Sequence, residues 1–190
     1  MLISSTTLNG AVGNDSNNNI TMSVGNTVIA NINSTGMYFQ PGMKAIYTGA
    51  VLQVVQVSTN TITSTSSTTY ADATGLSATI TPTSTSSKIL VIVDYKIYIQ
   101  SDNSQQAGVQ LMRNSTSIWE DSYAHQVNVN ANVAMGERGS VIKLDSPAST
   151  SATTYKIQIK RTSLAGTNYS FYLNSNSGDI SSITLLEIAG

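Results

Sequence analysis

The chain has 190 residues, of which 10% are charged, with a net charge of −1, one histidine and no cysteine. That inventory excludes disulfides, thiolate chemistry and a zinc centre, and without a Lys/Arg cluster there is no electrostatic footprint for nucleic acid. Solubility rests on uncharged groups: 28 Ser, 24 Thr and 17 Asn.

At 40% hydrophobic residues the chain can build a core, and its length suits one ordinary domain with room for an appended arm. Threonine favours strands, because its branched Cβ fits a pleated surface and loses rotamers in a helix. Among the strong helix formers Glu and Lys are scarce, so the class is all-β. The longest pure aliphatic run, Ile89 to Val93, is too short to span a bilayer. The opening Met-Leu-Ile-Ser-Ser-Thr-Thr lacks the basic and apolar regions of a signal peptide, which predicts synthesis in a bacterial cytoplasm. The sequons at Asn19, Asn33, Asn114 and Asn168 follow from composition and mean little without secretion.

Residues 1–48 read as an extended N-terminal arm, poor in core formers and rich in Asn and Gly. Ile20–Val24 and Val28–Ile32 alternate and could pair as edge strands, but neither could hold a core alone. Gly36 and Pro41-Gly42 read as turns. From residue 49 onward, strands recur at short intervals. Val51–Val57 opens the set, and the Ser/Thr tract Ser58–Thr69 reads as a solvated loop or edge strand. Leu76–Ile80 alternates, and residues 81–87 form a polar turn. Lys88–Gln100 is the strongest strand: Ile89, Val91, Val93, Tyr95, Ile97 and Ile99 make one wholly apolar face, which must meet the core. Val109–Trp119 reads as a hairpin turning at Arg113–Thr116, and Val127–Val133 as an alternating strand. Gly139–Leu144, Tyr155–Lys160, Tyr169–Leu173 and Ser182–Ile188 supply four more. About nine strands without a helix describe a sandwich or jelly roll, and the absence of a fixed period excludes a solenoid.

The same residues offer little chemistry. His125, in Tyr123-Ala-His-Gln, has no Gly-x-Ser-x-Gly elbow to serve and reads as a surface or loop residue. Glu120 and Asp121 are adjacent and point to opposite faces of an extended strand, so they cannot flank one glycosidic bond. The pair Asp94 and Glu137 awaits the fold. Asn14-Asp15-Ser16-Asn17 and Asp102-Asn103 offer oxygen ligands, but each carries one formal charge, and so little charge binds calcium weakly. No phosphate-binding glycine motif is present. Tyr95, Tyr169 and Tyr172 suit core or subunit packing better than a sugar platform. No catalytic, cofactor or metal residue is predicted.

The run Gly49–Val57, a Ser/Thr tract, Gly75–Pro82 and Ser86–Val93 together resemble a module of phage and cyanophage virion proteins. The hairpin Val109–Thr116 and the ending Ile183–Ile188 fit the same family. The resemblance covers residues 49–190 and implies a jelly roll similar to tumour-necrosis-factor-like trimers, found in capsid decoration proteins and tail-fibre heads. Its motifs are strand and turn patterns. It therefore predicts a non-catalytic homotrimer on the exterior of a virion, with the knob at 49–190. The arm, 1–48, lies outside the resemblance, and its two alternating segments without a core of their own predict docking on the major capsid protein or another virion protein. A fibre shaft is missing, which favours a decoration or cement protein over a short tail fibre or receptor-binding tip recognising a host glycan. A secreted carbohydrate-active enzyme is disfavoured by the poor acid/base inventory. No cofactor, nucleic acid or membrane enters any of these readings.

Overall fold

The computed structural model describes residues 12–14, 20–24, 27–33, 36–39, 48–101, 104–128, 133–162 and 169–190, among which there is no helix. The chain divides into two units, Met1–Ile46 and Tyr47–Gly190.

In the first unit, β1 (Val12–Asn14), β2 (Ile20–Val24), β3 (Thr27–Asn33) and β4 (Gly36–Phe39) pair in sequence order as an antiparallel sheet. The two alternating segments of the arm thus find each other, Ile20 lying opposite Ile32, since neighbours in sequence meet at low loop-closure cost. Gly36, expected at a turn, opens β4; Pro41-Gly42 lies outside the described residues.

The second unit contains β5 (Val51–Thr59), β6 (Thr63–Thr65), β7 (Ala71–Ile80), β8 (Lys88–Ser101) and β9 (Gln105–Arg113). It continues through β10 (Thr116–Val127), β11 (Val133–Asp145), β12 (Thr153–Arg161), β13 (Tyr169–Leu173) and β14 (Ser181–Ile188). All of its pairings are antiparallel, and four of them are nested: β9 with β10, β8 with β11, β7 with β12 and β5 with β14. The chain is therefore one long hairpin, tipped at Asn114-Ser115 and rolled up so that its pairs alternate between two sheets. Sheet I runs β5-β14-β8-β11, and sheet II runs β7-β12-β9-β10. This is a jelly-roll sandwich. The short β13 extends sheet I along the far half of β8 and carries β6 at its own edge, so the Ser/Thr tract contributes an edge strand.

Period-2 burial fills the space between the sheets. From sheet I come the expected face of β8, each member 2% exposed or less, and Ile183 and Leu185; from sheet II come Leu76, Val109, Leu111, Ile157 and Ile159. Each such side chain stabilises the fold by about 1.5–3 kcal/mol. Gly75 has φ +80 where β7 bulges against β12, and a Cβ there would lie 2.6 Å from Thr59 Oγ1. Only glycine takes that backbone geometry without strain.

Two strand assignments change. Val127–Val133 is not one strand: Val127 closes β10 in sheet II and Val133 opens β11 in sheet I, with 129–132 outside the described residues. Its alternation suits either neighbour, so pattern alone could not divide it. The strand at Gly139–Leu144 is in turn longer, because β11 pairs with β8 along Val133–Asp145.

Candidate functional site

His125 is a buried strand residue, 6% exposed, which corrects the surface or loop placement. A register shift between Asp121 and His125 turns it inward from β10, so simple alternation misplaces it. Its ring meets Tyr95 of β8 edge-on, with centroids 5.6 Å apart. Nδ1 donates to Glu137 Oε1 of β11 at 2.5 Å, and Nε2 shares a hydrogen bond with the Tyr95 hydroxyl at 3.0 Å. Gly139 leaves room for the phenol, since a Cβ there would overlap the Tyr95 ring at Cζ. Burial, then the charges of Asp121 and Glu137, push the Tyr95 phenol well above its ordinary pKa, so it stays neutral. Both imidazole nitrogens are therefore engaged, and the cluster ties sheet II to sheet I. Among the described residues, the hydroxyl that meets the imidazole is the Tyr95 phenol, held neutral by burial.

The other candidates are separated by the sheets. Asp94 lies opposite Ser140 on the outer face of sheet I, whereas Glu137 lies opposite Ile97 and faces inward. They cannot flank one bond. Glu120 lies opposite Gln110 on the outer face of sheet II, and Asp121 opposite Val109 on the inner side. Glu120 accepts from Ser122 at 2.6 Å, Tyr70 at 3.2 Å and Lys160 at 3.4 Å, and Lys160 Nζ sits 4.3 Å from the Tyr70 ring centre. Burial, then the Glu120 charge, holds the Tyr70 phenol up at about 12. Among the described residues no group of three His, Asp or Glu is placed to hold a metal ion. Of the calcium candidates, Asp15–Asn17 and Asp102-Asn103 lie outside the described residues. Tyr95 is core; Tyr172 lies partly buried beside Tyr98, ring centres 6.2 Å apart; the Tyr169 side chain lies outside the described set. A shallow depression of about 210 Å³, lined by Ser58, Thr59, Asn60, Ser177 and Ile180, contains no titratable group.

Two features stand out instead. The first is Glu187, fully buried at the end of β14. Gln53 donates to its Oε2 at 2.6 Å, and the Thr83 amide and hydroxyl both donate to Oε1 at 2.7 Å. Burial raises its pKa, but these donors outweigh burial and hold the carboxyl at about 2. The carboxylate fastens the loop between β7 and β8 to sheet I. Alternation from Ile183 through Leu185 was the signal that could have placed it inside.

The second is the outer face of sheet I. Val54, Leu186, Leu90 and Leu144 lie side by side across four strands, and Ile92 and Ile142 are neighbours in the next row. Val54 is 58% exposed, Leu144 51% and Ile142 68%. Such a contiguous apolar row turned to solvent is uncommon on the surface of a soluble domain.

No family model and no curated protein matches the chain. Among solved structures, it is similar to a chain in the structure of infectious bursal disease virus, Gx strain. That match has 15% identity and a TM-score of 0.44 over 80% of this chain and 37% of that one. It is also similar to dimeric latent PorU from Porphyromonas gingivalis, with 13% identity and a TM-score of 0.32 over 95% of this chain and 19% of that one. The chain spans little more than a third and about a fifth of those two lengths.

Proposed function

We propose that this is a non-catalytic structural protein of a bacteriophage particle, a homotrimeric capsid decoration protein that binds the capsid exterior and stabilises it. The observation that carries the reading is the apolar row Val54–Leu186–Leu90–Leu144, on a knob whose inward His125 is bonded to Tyr95 and Glu137. Such a surface serves protein contact, and few charges need desolvation when neighbours pack against it. The trimer follows from the family resemblance. The N-terminal sheet, with β1 and β4 as its edges, suits strand addition to a capsid subunit. The competing reading, a receptor-binding tip, is favoured by Tyr98 and Tyr172 lying together on the outer face, where a sugar ring could stack.

Copy number on purified particles separates the two: hundreds per particle for decoration, tens or fewer for a tip. Removing residues 1–46 should leave a folded β-rich knob that no longer binds particles lacking the protein. A truncated knob that decorates them at full occupancy would move docking to the jelly roll, and absence from particles would end the virion reading.

A further inference from the structure

We infer that the outer face of sheet I joins two copies of this chain face to face about a twofold axis running across the strands between Leu90 and Ile92. The inference rests on reading this face as one that protein covers, and it names the occupant. Along β8 the outward residues are Lys88, Leu90, Ile92 and Asp94 in successive rows. A twofold axis across the strands reverses that order in the partner. Leu90 then meets the partner's Ile92, Leu144 meets the partner's Ile142, and Lys88 meets the partner's Asp94 at both ends. On the other two strands Leu186 meets the partner's Thr184 and Val54 the partner's Gln56, so the apolar contact is centred on β8 and β11 and opposite charges close its two ends, as an isologous contact allows. An axis along the strands would stack the apolar row on itself, Leu90 on the partner's Leu186 and Val54 on the partner's Leu144. It sets Lys88 against Ile188 and Asp94 against Ser182, however, so neither charge meets an opposite one across the contact.

Asp94 is already prepared for this role. Arg138 Nη1 binds its Oδ2 at 2.7 Å, which orients the carboxylate, while no hydrogen bond or ion pair to Oδ1 or to Lys88 Nζ is found among the described residues. The area is sufficient. Four strands about 4.8 Å apart and four rows about 6.8 Å apart cover about 500 Å² per copy, or about 1,000 Å² in all, the lower bound for a specific interface. The association is therefore expected to be weak. Combined with the proposed threefold assembly through other surfaces, it closes as a hexamer when the two axes meet at right angles.

Sedimentation equilibrium of the full chain from about 1 to 100 µM tests this. An even-numbered species is expected, dimer or hexamer. Ile142→Asp should weaken the twofold step about a hundredfold, and Lys88→Glu or Asp94→Lys about tenfold each. The doubly reversed K88E/D94K chain should return to within about threefold of the parent, since it restores opposite charges across the axis. Only monomer or trimer up to the highest concentration, or no rescue in the double variant, would overturn the inference. A monomer whose β8 and β11 amides are protected more than the other strands would mean that another part of the chain covers the face, and would overturn it equally. Copy number on particles is read separately, so a failed twofold contact and a failed virion reading remain distinguishable.

Discussion

On the outer face of sheet II, Asp72 accepts from Lys156 at 2.8 Å and from Gln158 at 2.6 Å, and Gln158 in turn accepts from Gln110. At the matching level of sheet I the outward residues are Val54, Leu186, Leu90 and Leu144, while a carboxylate, Glu187, is turned inward and fully buried. One sandwich thus contains two solutions to the placement of charge. Sheet II follows the common rule of apolar inside and polar outside. Sheet I reverses it at one end, and both departures are costly unless something compensates. Hydrogen bonds from Gln53 and Thr83 compensate the buried carboxylate; in the proposed contact between copies, a second protein surface would do the same for the exposed apolar row. Departures from the common rule are where a fold carries tasks beyond folding.

Removing the two carboxylates in turn should separate the sheets most clearly. Glu187→Ala should cost roughly 3 kcal/mol in urea unfolding at neutral pH, because it orphans buried donors. Asp72→Ala should cost under about 0.5 kcal/mol, since its ion pair is largely solvated. The sign of the pH effect follows from the depressed pKa. With Glu187 at about 2 when folded and 4.5 when unfolded, its contribution is complete above pH 4.5 and is lost as pH falls from 4.5 towards 2. The parent should lose stability over that window more steeply than Glu187→Gln. Parallel curves for the two would show that the carboxylate is not what fastens the loop.

Sterics separate the sheets next. Gly139 of sheet I and Gly108 of sheet II both face tyrosines, and a Cβ at Gly108 would lie 2.8 Å from Tyr70 Oη and 2.9 Å from Lys160 Cε. Those are the free ends of partly exposed side chains and can swing aside. The Tyr95 ring at Gly139 cannot, being buried and held by His125. Gly139→Ala should therefore cost about 2 kcal/mol and Gly108→Ala about 1 kcal/mol or less. A reversed order would mean that the His125 cluster yields more easily than its geometry implies. Crystal structures of the two variants would show which tyrosine moved.

Much of this architecture was legible in strict alternation. The apolar face of Lys88–Gln100 located the core correctly, because a 14-residue strand leaves no ambiguity of period. Alternation also held a signal that Glu187 faces inward with Ile183 and Leu185, but a charged residue reads as exposed unless its donors are known, and these lie over a hundred residues away. His125 was not legible, since the bulge after Asp121 breaks the count. The exposed row was visible only in part. Val51–Val57 has apolar residues on both faces, Leu52 and Val54 on one and Val55 on the other, yet the row emerges only when four strands from distant parts of the chain come into register. Long-range register is what the sequence states least directly.

The mildest substitutions discriminate best between the faces. Each outer face holds an exposed ion pair: Arg138 with Asp94 on sheet I, and Lys156 with Asp72 on sheet II. Arg138→Ala and Lys156→Ala should each change stability by less than about 0.5 kcal/mol, with the difference vanishing at high salt, because solvent screens exposed pairs and ordering two long side chains opposes the gain. Stability alone therefore cannot tell them apart. Association can. Without Arg138 the Asp94 carboxylate loses the contact that orients it, so the contact between copies should weaken about threefold in Arg138→Ala. Lys156→Ala, on the face outside the proposed contact, should leave association unchanged. Equal behaviour of the two variants in sedimentation would mean that the faces do not differ in what they bind. A weakening confined to Arg138→Ala would tie the inverted charge pattern of sheet I to assembly, because the folded monomer would be the same in both.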